Sequence, residues 1–228
     1  MNITKCKGNC GKLTCRNDGY CLTCFREREA KNKVEEFKTE RVEKVYVTDF
    51  YNSAVKPDPE NEVNGKKVYY CFQGKQFVHE ASAGYIFAGD DDGIHHWARL
   101  KELKDGDIIF HGTVQGVLAI SVVQGKCFKA QRPKEHLLAN DRPFQVGLMV
   151  ETKYDLLRRA ICTVEYIDEI IRLQGNIRGK GYPFNKNGKG NQGYLFNLHK
   201  DLAKLFMQEI IKRNPSMAEK DYAKAILG

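Results

Sequence analysis

Five of the chain's eight cysteines stand within its first 24 residues, and that crowding limits what this end of the molecule can be. Cys6 and Cys10 make one pair, Cys21 and Cys24 a second, and Cys15 lies between them. Gly8, Gly11 and Gly19 accompany them, with almost no apolar side chain to form a core. A segment this short cannot bury enough surface to fold unaided, so a cross-link or a metal must hold it. Four thiolates around zinc do so, because short loops turn both sulfurs of a pair toward one ion. Cys6, Cys10, Cys21 and Cys24 are the expected ligands of a structural zinc, and Cys15 can exchange roles with Cys10. Disulfides are the other use of such a cluster. The first residues are polar and no apolar run is long enough to span a bilayer, so a cytoplasmic setting with reduced thiols and no membrane is expected. Cys71, Cys127 and Cys162 stand in apolar surroundings and read as core residues.

The net charge of +8 and a pI near 9.0 favour a polyanion as partner. Beyond the expected zinc module of residues 1–30, residues 31–65 read as a linker. Alternating charges form a solvated helix or tether, followed by a loop containing Pro57, Pro59, Asn61, Asn64 and Gly65. From Lys66 the pattern turns to strands. Val68–Phe72 is β-branched and aromatic, Tyr85–Phe87 is a second short run, and Asp107–His111 with Val117–Val123 predicts a hairpin. Residues 127–130 and 146–154 add strands, and 193–196 a closing one. Residues 95–103 predict a short helix. Tyr166, Ile167, Ile170 and Ile171 stripe a second, and Leu202, Leu205, Phe206 and Ile210 a third that stops at Asn214-Pro215. Ser216 with Glu219 predicts a capping box for a short last helix within 214–228. The fold class expected for 66–213 is α+β, a small curved β-barrel of mixed strands with peripheral helices.

The order of signals across residues 68–133 resembles a known family. A Tyr-Tyr strand precedes Gly84-Tyr85-Ile86-Phe87-Ala88, then His96-Trp97, then Gly106-Asp107-Ile108-Ile109-Phe110-His111. Ala119-Ile120-Ser121-Val122 and Arg132-Pro133 follow, and Gly193-Tyr194-Leu195-Phe196 comes near the end. This is similar to PUA-like modules of the EVE and YTH type, especially those accompanying modification-dependent restriction enzymes of the Mcr kind and HNH nucleases. The resemblance implies a PUA-like barrel whose aromatic pocket accepts one base, flipped from a duplex or exposed in a single strand. It implies DNA with a modified cytosine or adenine as partner, modified RNA being the alternative, and a nuclease acting beside it. The cysteine module in turn resembles small four-cysteine zinc fingers, some of which bind ubiquitin, so a protein-interaction adaptor is a further alternative.

Reading an extruded base needs flat π surfaces and groups that bond the base edge. Trp97, the only tryptophan, is a candidate wall, or else a core residue packing its helix on the sheet. Tyr85 and Phe87 share one face of a strand by period two, as part of a cage or of the core. His95 and His96 are candidate partners for base or phosphate, or surface and cap residues. Residues 184–193 follow another logic. From Arg172 to Lys200 there is no acidic residue, while glycine recurs. Glycine lets backbone approach a phosphate and lysine neutralises it. Lys186 and Lys189 are the candidate phosphate contacts. Asn185, Asn187, Asn191 and Gln192 supply amides able to bond a base edge, and Tyr194 adds a ring. No clustered carboxylates with lysine or histidine, no phosphate-binding loop and no nucleophile motif occur, so the chain is expected to be a reader and not an enzyme.

Overall fold

The computed structural model describes residues 4–5, 13–14, 44–46, 59–91, 93–113, 116–136, 146–174 and 181–228. The chain divides into two compact units, Met1–Glu43 and Lys44–Gly228. In the first, β1 (Thr4–Lys5) pairs antiparallel with β2 (Leu13–Thr14). The expected zinc ligands Cys6, Cys10, Cys21 and Cys24 lie outside the described residues.

The second unit is longer than the 66–213 domain predicted from the sequence. Among the described residues it is an α+β assembly on one nine-stranded sheet. Its strands are β3 (Val45–Tyr46), β4 (Glu62–Val63), β5 (Lys66–Phe72), β6 (Tyr85–Gly89), β7 (Ile108–Thr113), β8 (Gly116–Val123), β9 (Phe128–Gln131), β10 (Val146–Ile161) and β11 (Leu195–Asn197). The main path runs β11-β5-β7-β8-β10-β9-β3, with β4 on β5 and β6 on β10. Among the described residues only β5 and β7 pair in parallel, because the chain between them travels through two helices and β6 before returning.

Closure is where sequence expectation and structure part. Among the described residues β6 and β11 do not pair, so the sheet is open and not a barrel. Hydroxyl and carboxyl side chains stand at this seam instead. The backbone N–H of Phe87 donates to Tyr194 Oη at 3.0 Å and to Glu80 Oε1 at 3.3 Å. An edge donor is thus satisfied without a neighbouring strand.

Both faces of the central strands are buried, which is why β5 reads as a continuous apolar run and not as an alternation. On one face Val68, Tyr70, Phe110, Ile120 and Leu157 meet α4 (Lys200–Arg213) and α5 (Asp221–Leu227). Helix α4 turns Leu202, Ala203, Phe206, Met207 and Ile210 inward at helical spacing. Residues 214–228 belong to this core through Met217, Tyr222, Ala223 and Ile226. The capping box expected at Ser216 does not form: Pro215–Glu219 is a 3-10 turn and α5 starts at Asp221. On the other face Tyr69, Cys71, Ile86, Ile109, Leu148, Val150 and Leu195 form a second cluster. It is covered by α2 (His95–Ala98) and the 3-10 turn Arg99–Glu102 that extends it. A third, smaller cluster joins Phe77 of α1 (Phe77–Ala83) to Leu118 and Ala119. Helix α3 (Ile167–Gln174) lies on the edge of the first core through Ile170.

Candidate functional site

Between the second and third apolar clusters lies a layer of buried polar side chains. Its centre is Glu80, which is 0% exposed. Helix α1 places it there because Phe77 anchors the first turn in apolar surroundings and Gly84, at φ +77°, ends the helix in a left-handed cap. The Glu80 carboxyl accepts from the Gln73 side-chain amide and lies 2.8 and 2.9 Å from Tyr194 Oη. His136 Nε2 stands 3.3 Å from the same carboxyl. Burial pushes the Glu80 acid up to about 8, against hydrogen bonds from Gln73, Tyr194 and Phe87 that favour its ionised form. At neutral pH the carboxyl is mostly protonated.

The layer continues along the strands. Gln73 Nε2 also donates to Tyr154 Oη at 2.8 Å, and Tyr154 donates to the Tyr85 carbonyl at 3.2 Å. On its other side Gln73 Oε1 faces His111 Nδ1 at 2.7 Å, and His111 Nε2 faces Ser121 Oγ at 2.6 Å. A carbonyl can only accept, so Nδ1 carries the imidazole proton and Ser121 donates to Nε2. Burial lowers the His111 pKa to about 3 and keeps the ring neutral. Ser121, His111 and Gln73 thus have the spacing of a nucleophile, base and orienting group. Ser121 and His111 are nevertheless 0% exposed.

The aromatic candidates divide between two faces of β6. Tyr85 and Phe87 share one face as period two requires, with the His136 ring 6.1 and 5.3 Å away. Phe87 is buried and Tyr85 half-buried. Trp97 packs instead on the cluster holding Ile86 and Ala88, the opposite face, beside Leu100 and Leu103. The structure does not bring Trp97 and Tyr85 into one pocket. His96 stacks on Phe196 at 6.2 Å and its Nδ1 accepts from the Tyr194 backbone, so it fixes the segment entering β11. His95 is exposed.

The predicted basic segment is a tight hairpin whose bridge pairs Phe184 with Gly190. Phe184 sits in the first core, and Gly190 lies against the Phe72 ring. Asn185 Oδ1 accepts from the backbone of Asn187 and Lys189, and Asn191 Nδ2 donates to the Tyr182 carbonyl. Both amides therefore shape the hairpin. Lys186 and Lys189 are exposed and have no acidic partner among the described residues, while Asn187 and Gln192 are exposed beside them. Tyr194, which follows, carries the buried hydroxyl of the polar layer.

Glu80, Gln73, Tyr154 and His136 were not singled out by the sequence. The one signal for the helix bearing Glu80 was Gly84 following a short apolar-polar run. No group of three or more metal-ligating side chains occurs among the described residues, and no helix there is long and apolar enough to cross a membrane.

No family model matches the chain, and no curated protein matches it. Among solved structures it is similar to a crystal structure of a mutant form of ZmASCH from Zymomonas mobilis. The two share 11% identity with a TM-score of 0.40, over 64% of this chain and 98% of that one. None of the three comparisons shows the EVE or YTH likeness or the four-cysteine finger expected from the sequence.

Proposed function

We propose that the chain is a nucleic-acid-binding module and that the hairpin 184–193 holds the phosphate backbone. The observation carrying this reading is the pair Lys186 and Lys189, exposed and without an acidic partner among the described residues, on a hairpin fixed by its own asparagines. Unneutralised cations on a rigid, acid-free, glycine-rich support suit a polyanion, since binding releases the counterions condensed on it. The test is affinity for short DNA and RNA at several salt concentrations. Lys186→Ala with Lys189→Ala should weaken binding to all sequences alike and lower the salt slope by about one per lost phosphate contact. An unchanged slope would remove the hairpin from the interface, and salt-insensitive binding to a protein alone would favour an adaptor.

The finer reading rests on the family resemblance. It is a reader of one modified base, in DNA with RNA as alternative, without an active site of its own and with a nuclease as partner in a restriction-type system. Tyr85, backed by Phe87 and His136, is the stacking wall this reading uses, and the closure of Ser121 and His111 to solvent supports a reader over a hydrolase. A panel of oligonucleotides with different base modifications decides it; equal affinity for all would leave a general binding module. We further propose zinc on Cys6, Cys10, Cys21 and Cys24 of the first unit.

A further inference from the structure

The pairing registers carry one row of large side chains across four strands. Tyr46 of β3 lies opposite Phe128 of β9, Phe128 opposite Met149 of β10, and Met149 opposite Phe87 of β6. Directly opposed residues share a face, so the four side chains form a continuous rib. Of its inner members Phe87 is 3% and Phe128 7% exposed and Met149 is half-buried, whereas Tyr46 at the end of the rib is 53% exposed. Phe128 meets the Tyr46 ring edge-on at 6.2 Å. Lys44 lies over Phe128 at 5.0 Å and is held by Glu151 at 2.7 Å. The exposed ring is therefore braced from within the sheet.

The strand paired with Tyr46, β9, lies in a basic stretch of the chain. From Gln124 to Lys134 the sequence holds Lys126, Lys129, Arg132 and Lys134 and no acid. Lys129 is paired with Asp90, but Lys126 and Lys134 are exposed without an acidic partner among the described residues.

We infer that Tyr46 is a stacking platform for an unpaired base of single-stranded nucleic acid, with Lys126 and Lys134 holding the adjoining phosphates. The inference rests on the nucleic-acid reading above and adds to it a second contact surface, separate from the 184–193 hairpin. A braced aromatic ring offers a base its π face whatever the sequence, and flanking cations track the backbone. A duplex keeps its bases stacked on one another and gains nothing from the ring.

The test compares the intact chain with Tyr46→Ala, Tyr46→Phe, Tyr46→Trp and the double variant Lys186→Ala/Lys189→Ala on oligo(dT), oligo(U) and a blunt DNA duplex. Tyr46→Ala should bind the single strands about 5- to 150-fold more weakly, with duplex affinity and salt slope unchanged. Tyr46→Phe should bind as the parent does. Tyr46→Trp should show indole fluorescence quenched by oligo(dT) and not by duplex, a readout independent of how well the alanine variant folds. Parent-like binding of oligo(dT) by Tyr46→Ala, equal losses for single strand and duplex, or an unquenched indole would each overturn the platform. If the lysine variant lowers the salt slope while Tyr46→Ala is silent, the platform alone fails. If the parent binds no nucleic acid, the wider reading fails and takes the platform with it.

Discussion

Glu80 and His111 are joined through one glutamine, yet burial shifts them in opposite senses, and both shifts act on stability. Between the ordinary carboxyl value of 4.5 and about 8 the folded chain keeps the Glu80 proton and the unfolded chain has released it. Stability therefore falls as pH rises through that window, by about 1.4 kcal/mol per unit at most. For His111 the unfolded chain takes up a proton below 6.5 while the folded chain resists until about 3, so stability rises with pH over that range. The two slopes cancel where they overlap, from 4.5 to 6.5. Stability should climb to a plateau there and decline toward pH 8. Glu80→Gln keeps the shape and the acceptor of the side chain without its ionisation, and should flatten the alkaline limb and let the His111 climb run on uncancelled to pH 6.5. Urea denaturation at pH 4, 5, 6.5 and 8 measures this, and an alkaline limb surviving in Glu80→Gln would assign the decline to another group. These residues were hard to read from sequence. His111 stands at the end of the strand run Asp107–His111, where no local signal marks a hydrogen-bonded pair. Gln73 follows the Val68–Phe72 run and carries no local signal of a buried network. Both acquire their chemistry from contacts distant in the chain.

At the scale of elements, the Asn214 side chain ties the end of α4 to β10. The β8–β10 register shifts between Leu156 and Ile161, which leaves the Arg159 backbone without a ladder partner there. Asn214 fills that place: its Oδ1 accepts from the Arg159 N–H at 2.9 Å, and its Nδ2 donates to the Arg159 and Ile210 carbonyls at 2.9 and 3.1 Å. Asn214→Ala should cost about 1–3 kcal/mol, the usual penalty for partly buried polar groups left unmade. Thermal unfolding checks this, and a loss below a few tenths would mean that water replaces the amide. Sequence periodicity located α4 and its stop at Asn214-Pro215, because the apolar stripe and the proline are local signals. That the asparagine clamps a bulged strand 55 residues earlier is not local and could not be read. Helix α1 escaped for a related reason. Seven residues are too few for a stripe to repeat, and the segment is held by Phe77 and Glu80 meeting partners from other strands. The strands β5, β7 and β8 were legible because burial on both faces forces apolar composition whatever the partner. Period two placed Tyr85 and Phe87 together. Nothing local said on which face of β6 the helix with Trp97 would land.

For the whole molecule, the division at Glu43 and Lys44 sets an expectation for metal removal. The second unit has its own cores, so chelation of the proposed zinc should leave its cooperative unfolding transition where it was. Atomic absorption should find about one zinc per chain before chelation. A transition that collapses on chelation would tie the two units together energetically, and absence of zinc with all thiols titratable would remove the metal from the first.

The pairing of β11 with β5 has a bearing on how the chain is made. Leu195 meets Cys71 and Asn197 meets Tyr69, more than a hundred residues apart. During synthesis at about 5–20 residues per second, the Val68–Phe72 segment emerges roughly 6–25 s before its outer neighbour exists. For that interval a sticky ribbon of valine, tyrosine and phenylalanine hangs from the ribosome with its edge unguarded. The cell must keep that ribbon from other nascent chains until residues 195–197 have been translated.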